Sequence, residues 1–239
     1  MTAILEIFDS TIVAIGAFNP AIFSPDWLAH NNLIGKVDAE SSTERDSLVV
    51  ARQVAVIETD WFVLQVLEDR LTLASKGAVT PMIKDLAVGI MSIIPQTPIL
   101  ALGMNFSGHY KFSTLDEYHK IGDVLAPKNI FSTIFPDRSI GLSNLTIKIQ
   151  NCKRDEIPKV GDEVNIIVQQ STKIRGGSGI VFTYNVHKDI THKDDESTTS
   201  AEYAARLVDT EWDASRERSV EIFNDLIQAA LAGQNGPVK

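Results

Sequence analysis

His109 stands in the run ILALGMNFSGHYKFS, from Ile99 to Ser113, where apolar and polar residues alternate. A strand sends successive side chains to opposite faces. Asn105, Ser107, His109 and Lys111 then share one face with Ala101 and Gly103, and Leu100, Leu102, Met104, Phe106, Tyr110 and Phe112 share the other. An imidazole titrates near neutral pH, so His109 suits general acid or base chemistry, with Asn105 as an orienting amide. The same residues suit the wall of a pocket floored by Gly16 and Gly103, because a strand glycine marks close approach by a backbone or a ligand. The candidate ligand-binding set is therefore Gly16, Gly103, Asn105 and His109. Packing between two halves of the chain, or plain solvation of a polar sheet face, accounts for the same residues without a ligand.

The remaining reactive side chains lack the spacing that chemistry requires. His30 and His119 stand apart from other donors; His119 reads as a helix surface position. His187 and His192 precede Asp194 and Asp195, an N and O donor set, but in a stretch that reads as a solvated loop. Cys152 adjoins Lys153 and Arg154, which favour a thiolate, yet no catalytic cysteine signature surrounds it. Arg175 to Gly179, RGGSG, has backbone amides suited to an anion but lacks the lysine and the following helix of a phosphate loop. Glu58 and Asp60 fall at a strand junction, where a turn favours polar residues. GxSxG, HExxH, CxxC and P-loop motifs are missing from the sequence. No catalytic residue, metal ligand or cofactor is assigned.

These residues need elements to hold them. The pattern predicts a strand over 10–18, a short helix from Pro25 capped by Ser24, and a structureless polar loop, GKVDAESSTERDS. Strands follow at 48–58, 61–67 and 70–75, then a helix from Pro81 with Ile83, Leu86, Ile90 and Ile93 on one stripe. The order then restarts. A strand over 98–112 leads to a helix capped by Ser113 with Asp116 three residues on, and a turn or two of helix near 128–135. Strands follow at 142–150, 163–170 and 179–187. A final helix opens on a Thr199–Glu202 capping box and ends at Gly233.

The order strand, helix, three strands, helix therefore occurs twice. IVAIG at Ile12–Gly16 echoes ILALG at Ile99–Gly103, and Phe-Ser precedes the first helix of each half. The expected fold class is α+β: internally duplicated β-α-β-β-β-α units, 1–95 and 96–239, forming a curved antiparallel sheet with helices on one face. The layout resembles the saddle of the TATA-binding protein and the duplicated ligand-binding domains of the gyrase-inhibitor and SOUL type, in element order alone.

The bulk numbers narrow the function classes. The net charge of −9 disfavours phosphate backbones and anionic lipid. Lys111, Lys148, Lys173 and Arg175 are the only cationic footprint for a nucleic acid, so that partner is not expected. The longest apolar run, LAVGIMSII, is far below the ~18 residues of a membrane span, so no membrane is expected. A single cysteine and an N-terminus without a basic region predict a cytoplasmic protein. The final helix, at 1.5 Å per residue, reaches about 50 Å, more than a small sheet requires. Either it crosses the sheet with a solvated middle, or its C-terminal part docks on a second copy or another protein through Val220, Phe223, Ile227 and Leu231.

The stretch PILALGMNF…HYKF…LDEYHKIGDVLAPK, within residues 98–128, resembles a bacterial family of uncharacterised proteins. The resemblance implies no catalytic residue and no cofactor. Families of that kind sit in multi-gene systems, antiviral ones included. The first expectation is a non-enzymatic protein-binding or assembly subunit of a bacterial multi-component system, with a protein partner or homo-oligomer through the C-terminal helix. The alternatives are a small-molecule sensor with a cleft between the halves, and an enzyme with His109 as acid/base.

Overall fold

Alternating aliphatic residues build a nine-stranded sheet, every neighbouring pair antiparallel. The computed structural model describes residues 3–77, 81–150, 162–191 and 197–232. The first half contains β1 (Ile4–Gly16), α1 (Pro25–His30), α2 (Lys36–Thr43), β2 (Val49–Val50), β3 (Val54–Glu58), β4 (Phe62–Leu67), β5 (Arg70–Ser75) and α3 (Pro81–Ile93). The second contains β6 (Ile99–Lys111), α4 (Leu115–Leu125), α5 (Asn129–Ile134), β7 (Asn144–Gln150), β8 (Asp162–Gln170), β9 (Gly179–Asp189) and α6 (Ser200–Ala232). The class is mixed α+β, with an open sheet and a long C-terminal helix. The spatial order is β2-β3-β4-β5-β1-β6-β9-β8-β7. From the central β1–β6 pair outwards it reads β5, β4, β3, β2 on one side and β9, β8, β7 on the other.

The structure does not show the expected internal duplication: the first half has one strand more, β2, and the aliphatic echo does not occupy matched faces. Ala14 is buried opposite Leu102, whereas Ala101 lies opposite Ile15 on the less buried face. The reason is a register shift between Ile15 and Gly16. It puts Ile99 in the core and leaves Leu100 53% exposed, so Leu100 does not join the apolar row of Leu102, Met104 and Phe106. A single extra residue in one strand flips the faces beyond it.

Two amphipathic helices seal the apolar face. α3 buries Ile83, Leu86, Ala87, Ile90 and Met91. α6 carries one buried stripe from Ala201 through Val208, Trp212, Ser219, Phe223 and Ile227 to Ala230. Trp212 packs on Phe106 of β6, ring centroids 4.6 Å apart, and Phe223 packs on Phe182 of β9 at 5.8 Å. The polar middle of α6 keeps contact because buried Ser219 is small, and its hydroxyl donates to the Arg216 carbonyl at 2.6 Å. Lys84 of α3 pairs with Asp213 at 3.2 Å, and the Lys120 ammonium of α4 donates to the Leu231 carbonyl. Thr199 and Glu202 form the expected capping box.

Three local expectations are corrected. The polar loop after Gly35 is helix α2, which buries only Ala39 and Ser42 and so shows no aliphatic period. The strand over 48–58 is two strands, joined by a turn closed by the Ala51 amide on the Val54 carbonyl at 2.9 Å. The cap of α4 lies one residue later. Thr114 accepts from the Glu117 amide, and Glu117 accepts from the Ser113 amide.

Candidate functional site

The face of the sheet away from the helices is polar where β1, β6, β9 and β8 meet. Register sets Thr11 opposite Asn105, Asn105 opposite Asn185, and Asn185 opposite Asn165. Their amides form a row. Asn165 donates to Asn185 at 3.2 Å, Asn185 to Asn105 at 2.6 Å, and Asn105 to the Thr11 carbonyl at 3.3 Å. Ser107 and Thr183 share a hydrogen bond of 2.8 Å beside it. Such a row links the amides laterally, fixes side chains of three strands and ties them to the backbone of β1.

His109 is held more deeply and is 5% exposed. Its Nδ1 lies 2.7 Å from Ser171 Oγ, and its Nε2 lies 3.2 Å from Asp9 Oδ2. Ser171 Oγ accepts from the amides of Lys173 at 3.2 Å and Ile174 at 3.3 Å. The Ser171 hydroxyl hydrogen is then directed to Nδ1, which accepts it, and the ring N–H is assigned to Nε2, which donates to Asp9. The Lys173 ammonium also donates to Asp9 Oδ2. Burial pushes the Asp9 carboxyl up, but hydrogen bonds from His109 and Lys173 and the charge of Lys173 outweigh it, so the group sits below its ordinary value.

Serine, histidine and aspartate in this order match the parts list of a nucleophilic triad. The geometry does not match its chemistry. Ser171 Oγ is buried and already accepts two backbone amides, and it meets Nδ1 of His109 while Asp9 meets Nε2, the reverse of the triad arrangement. The set works as a clamp that ties β1 and β6 to the β8–β9 turn. Beside it lies an open concavity of about 490 Å³, whose wall includes Asp9, Thr11, Ser107, Thr172, Lys173 and Thr183. Hydroxyls, one carboxylate and one ammonium can take a small polar molecule.

The four residues of the expected pocket do not converge. Six strand residues at ~3.3 Å each set Gly103 about 20 Å from His109 along β6. Gly16 is further away, at the opposite end of the β1–β6 ladder. A Cβ on Gly16 would lie 2.2 Å from the Pro98 carbonyl oxygen, so this glycine serves backbone packing. A Cβ on Gly103 would meet Asn185 Nδ2 at 3.7 Å, an ordinary contact, so Gly103 answers to no close approach. Asn105 belongs to the amide row and His109 to the clamp.

Asp9, Ser171 and Lys173 complete the site. Of these, sequence reasoning had picked out only Lys173, as a cation. Asp9 had a signal: a carboxylate among Ile7, Thr11 and Val13 on one strand face. Ser171 had none, because only the hairpin geometry brings it to His109. Of the suggested cationic footprint, Lys111 pairs with Glu6 at 3.5 Å, Lys148 with Glu163 at 2.6 Å, and Lys173 with Asp9. Cys152, His192, Asp194 and Asp195 lie outside the described residues. Among the described residues no group of three or more His, Cys, Asp or Glu is placed to hold a metal ion, and no helix is long and apolar enough to cross a membrane.

The proposed docking stripe on α6 faces inward. Phe223 and Ile227 are buried against the sheet, and Val220 and Leu231 are partly buried. The exposed apolar surface is elsewhere. Ile130, Phe131, Ile134 and Phe135, in and just after α5, are each more than half exposed, and α5 buries no residue. Ile147 and Ile149 of β7 are 48% and 49% exposed. The Lys128 N-cap of α5 lines the same cavity as Gln169, which pairs with Asn144 at the start of β7. α5 therefore begins beside the C-terminal end of β8. No protein-family model and no curated protein sequence matches the chain.

Proposed function

We propose that the chain is a protein-binding or assembly subunit that engages its partner through residues 129–150. The observation that supports this reading is α5. A six-residue helix that presents Ile130, Phe131 and Ile134 outward, with Phe135 next to it, buries nothing within its own chain. Large apolar side chains clustered at one place on a surface mark interaction sites, whereas single ones need no explanation. The reading keeps the expected class of function and moves its surface from α6 to α5 and β7. A bacterial multi-component system is its setting, with antiviral defence among the roles the bacterial resemblance suggests. The cytoplasm is its compartment, in keeping with a single cysteine.

The test is the solution mass of the full chain, alone and mixed with the products of neighbouring genes. The expected result is a complex that the pair Phe131→Asp and Ile134→Asp dissolves while the thermal melt stays unchanged. Complexes that survive this pair, or a wild-type chain that binds none of those products and not itself, overturn the reading.

One observation favours a second reading. The concavity beside the clamp presents Asp9 and Lys173 together with several hydroxyls. A small polar metabolite is the ligand class that fits. A thermal-shift screen would then find a stabilising compound whose effect Thr183→Val reduces.

A further inference from the structure

We infer that the outer edge of β7 pairs with β7 of a second copy of this chain, antiparallel about a twofold axis, with Ile147 opposite Ile147. The inference rests on reading residues 129–150 as an interaction surface, and it names the occupant.

The two edges of the sheet are managed differently. β2 ends one side with only two residues. β7 ends the other with seven residues, in unbroken register with β8. Among the described residues no strand pairs its outer side. Proteins blunt such edges with short strands, prolines, bulges or unpaired charges. β7, NLTIKIQ, has no proline and no bulge. Its one charge, Lys148, is held by Glu163 of the same chain at 2.6 Å.

The strand is complementary to itself. Centred on Ile147, antiparallel pairing sets Leu145 opposite Ile149, Thr146 opposite Lys148 and Asn144 opposite Gln150. Apolar residues meet apolar residues on one face, and polar residues meet polar residues on the other. A shift by one residue mixes the faces. A centre at Lys148 opposes two lysines, which destabilises the pair. A centre at Thr146 sets Ile149 and Gln150 beyond the end of the partner strand. Among these registers, Ile147 alone pairs all seven residues without opposing like charges.

The two isoleucines that the pairing brings together, Ile147 and Ile149, are 48% and 49% exposed, so a second copy would cover apolar surface that this chain leaves open.

Sedimentation of the full chain across a wide concentration range tests this. The expected result is a monomer–dimer equilibrium, with mass rising from 26.3 kDa to twice that value, and loss of the dimer in Ile147→Lys. A second measurement fixes the register. In a Cys152→Ser background, Ile147→Cys is expected to cross-link into a dimer under mild oxidation by oxygen, and Lys148→Cys, facing Thr146, is not. A monomer at every concentration with no cross-link at 147 overturns the inference. If Phe131→Asp with Ile134→Asp then still dissolves a complex with a neighbouring gene product, the surface reading stands with another occupant. If no such complex exists either, both readings fall. A dimer that Ile147→Lys leaves intact and that does not cross-link at 147 also overturns the inference, because it uses another surface.

Discussion

The two halves of the sheet differ by one strand and finish their surfaces differently. At the β3–β4 end, Ile57, Leu64 and Val66 lie in the core, which Phe23 and Leu28 from the first connection also enter. At the β7 end the corresponding connection runs through α4 and α5. α4 turns its buried Ile121 inward, while α5 turns nothing inward, and Ile147 and Ile149 stay half exposed. β4 and β7 both carry aliphatic residues in alternation. Hydrophobic pattern fixes which face of a strand is apolar, and the path of the connecting helix decides whether that face is covered.

The largest expected effect breaks or upholds this comparison directly. Leu64→Ala at the closed end is expected to cost ~2–5 kcal/mol, because a fully buried side chain leaves a cavity. Ile147→Ala at the open end is expected to stay within ~0.5 kcal/mol at dilutions where the chain is monomeric. Phe223→Ala belongs with the closed end at ~3–5 kcal/mol, since its ring is buried against Phe182 and Tyr110. Denaturant titration measures all three. Equal costs for Leu64 and Ile147 would mean that the β7 end is covered as well, and a neutral Phe223→Ala would mean that the C-terminal part of α6 does not pack on the sheet.

The fold was largely legible and the site was not, for one physical reason. Strand alternation and helix stripes are local signals, and they marked β4, β5, α3, β6, β9 and α6 within a residue or two over most of their ends. α2 was missed because its buried residues, Ala39 and Ser42, are small and carry no aliphatic period. Leu100 was misplaced because a register shift leaves no mark in composition. The clamp joins residues 9, 109 and 171, which no local pattern connects. His109 was visible as a lone imidazole on a polar face, and its partners became visible only with the pairing of β1, β6 and the β8–β9 turn. The outward face of α5 was invisible because a turn or two of helix near 128–135 is too short to show which of its faces is covered.

The central strands offer a finer comparison through Gly16 and Gly103, the glycines that end the two echoed segments. Gly16→Ala is expected to cost ~1–3 kcal/mol, because a methyl cannot enter 2.2 Å from the Pro98 carbonyl oxygen without moving backbone. Gly103→Ala is expected to be neutral or slightly stabilising, since the added carbon makes an ordinary contact and the unfolded chain loses freedom. Equal responses from the two glycines would restore the matched roles that the sequence echo suggested.

The smallest expected effect concerns charge, and it separates the clamped centre of the sheet from its aliphatic flank. The folded Asp9 carboxyl sits below its ordinary value, against the pull of burial, because His109 and Lys173 hold its charged form. A depressed carboxyl contributes stability in full above its unfolded value of ~3.9 and loses it as pH falls through the folded value. Stability measured against pH should therefore drop below about pH 4, and Asp9→Asn should flatten that drop while lowering stability at neutral pH. Tyr110 gives the opposite limb. Burial pushes its phenol up to about 12, so its contribution is full below ~10 and is lost as pH rises from there towards the folded value. A chain whose acid limb is the same with and without Asp9 would place its acid sensitivity in other carboxylates, such as Glu163 beside Lys148. The clamp would then hold geometry without contributing measurably to the pH dependence of folding.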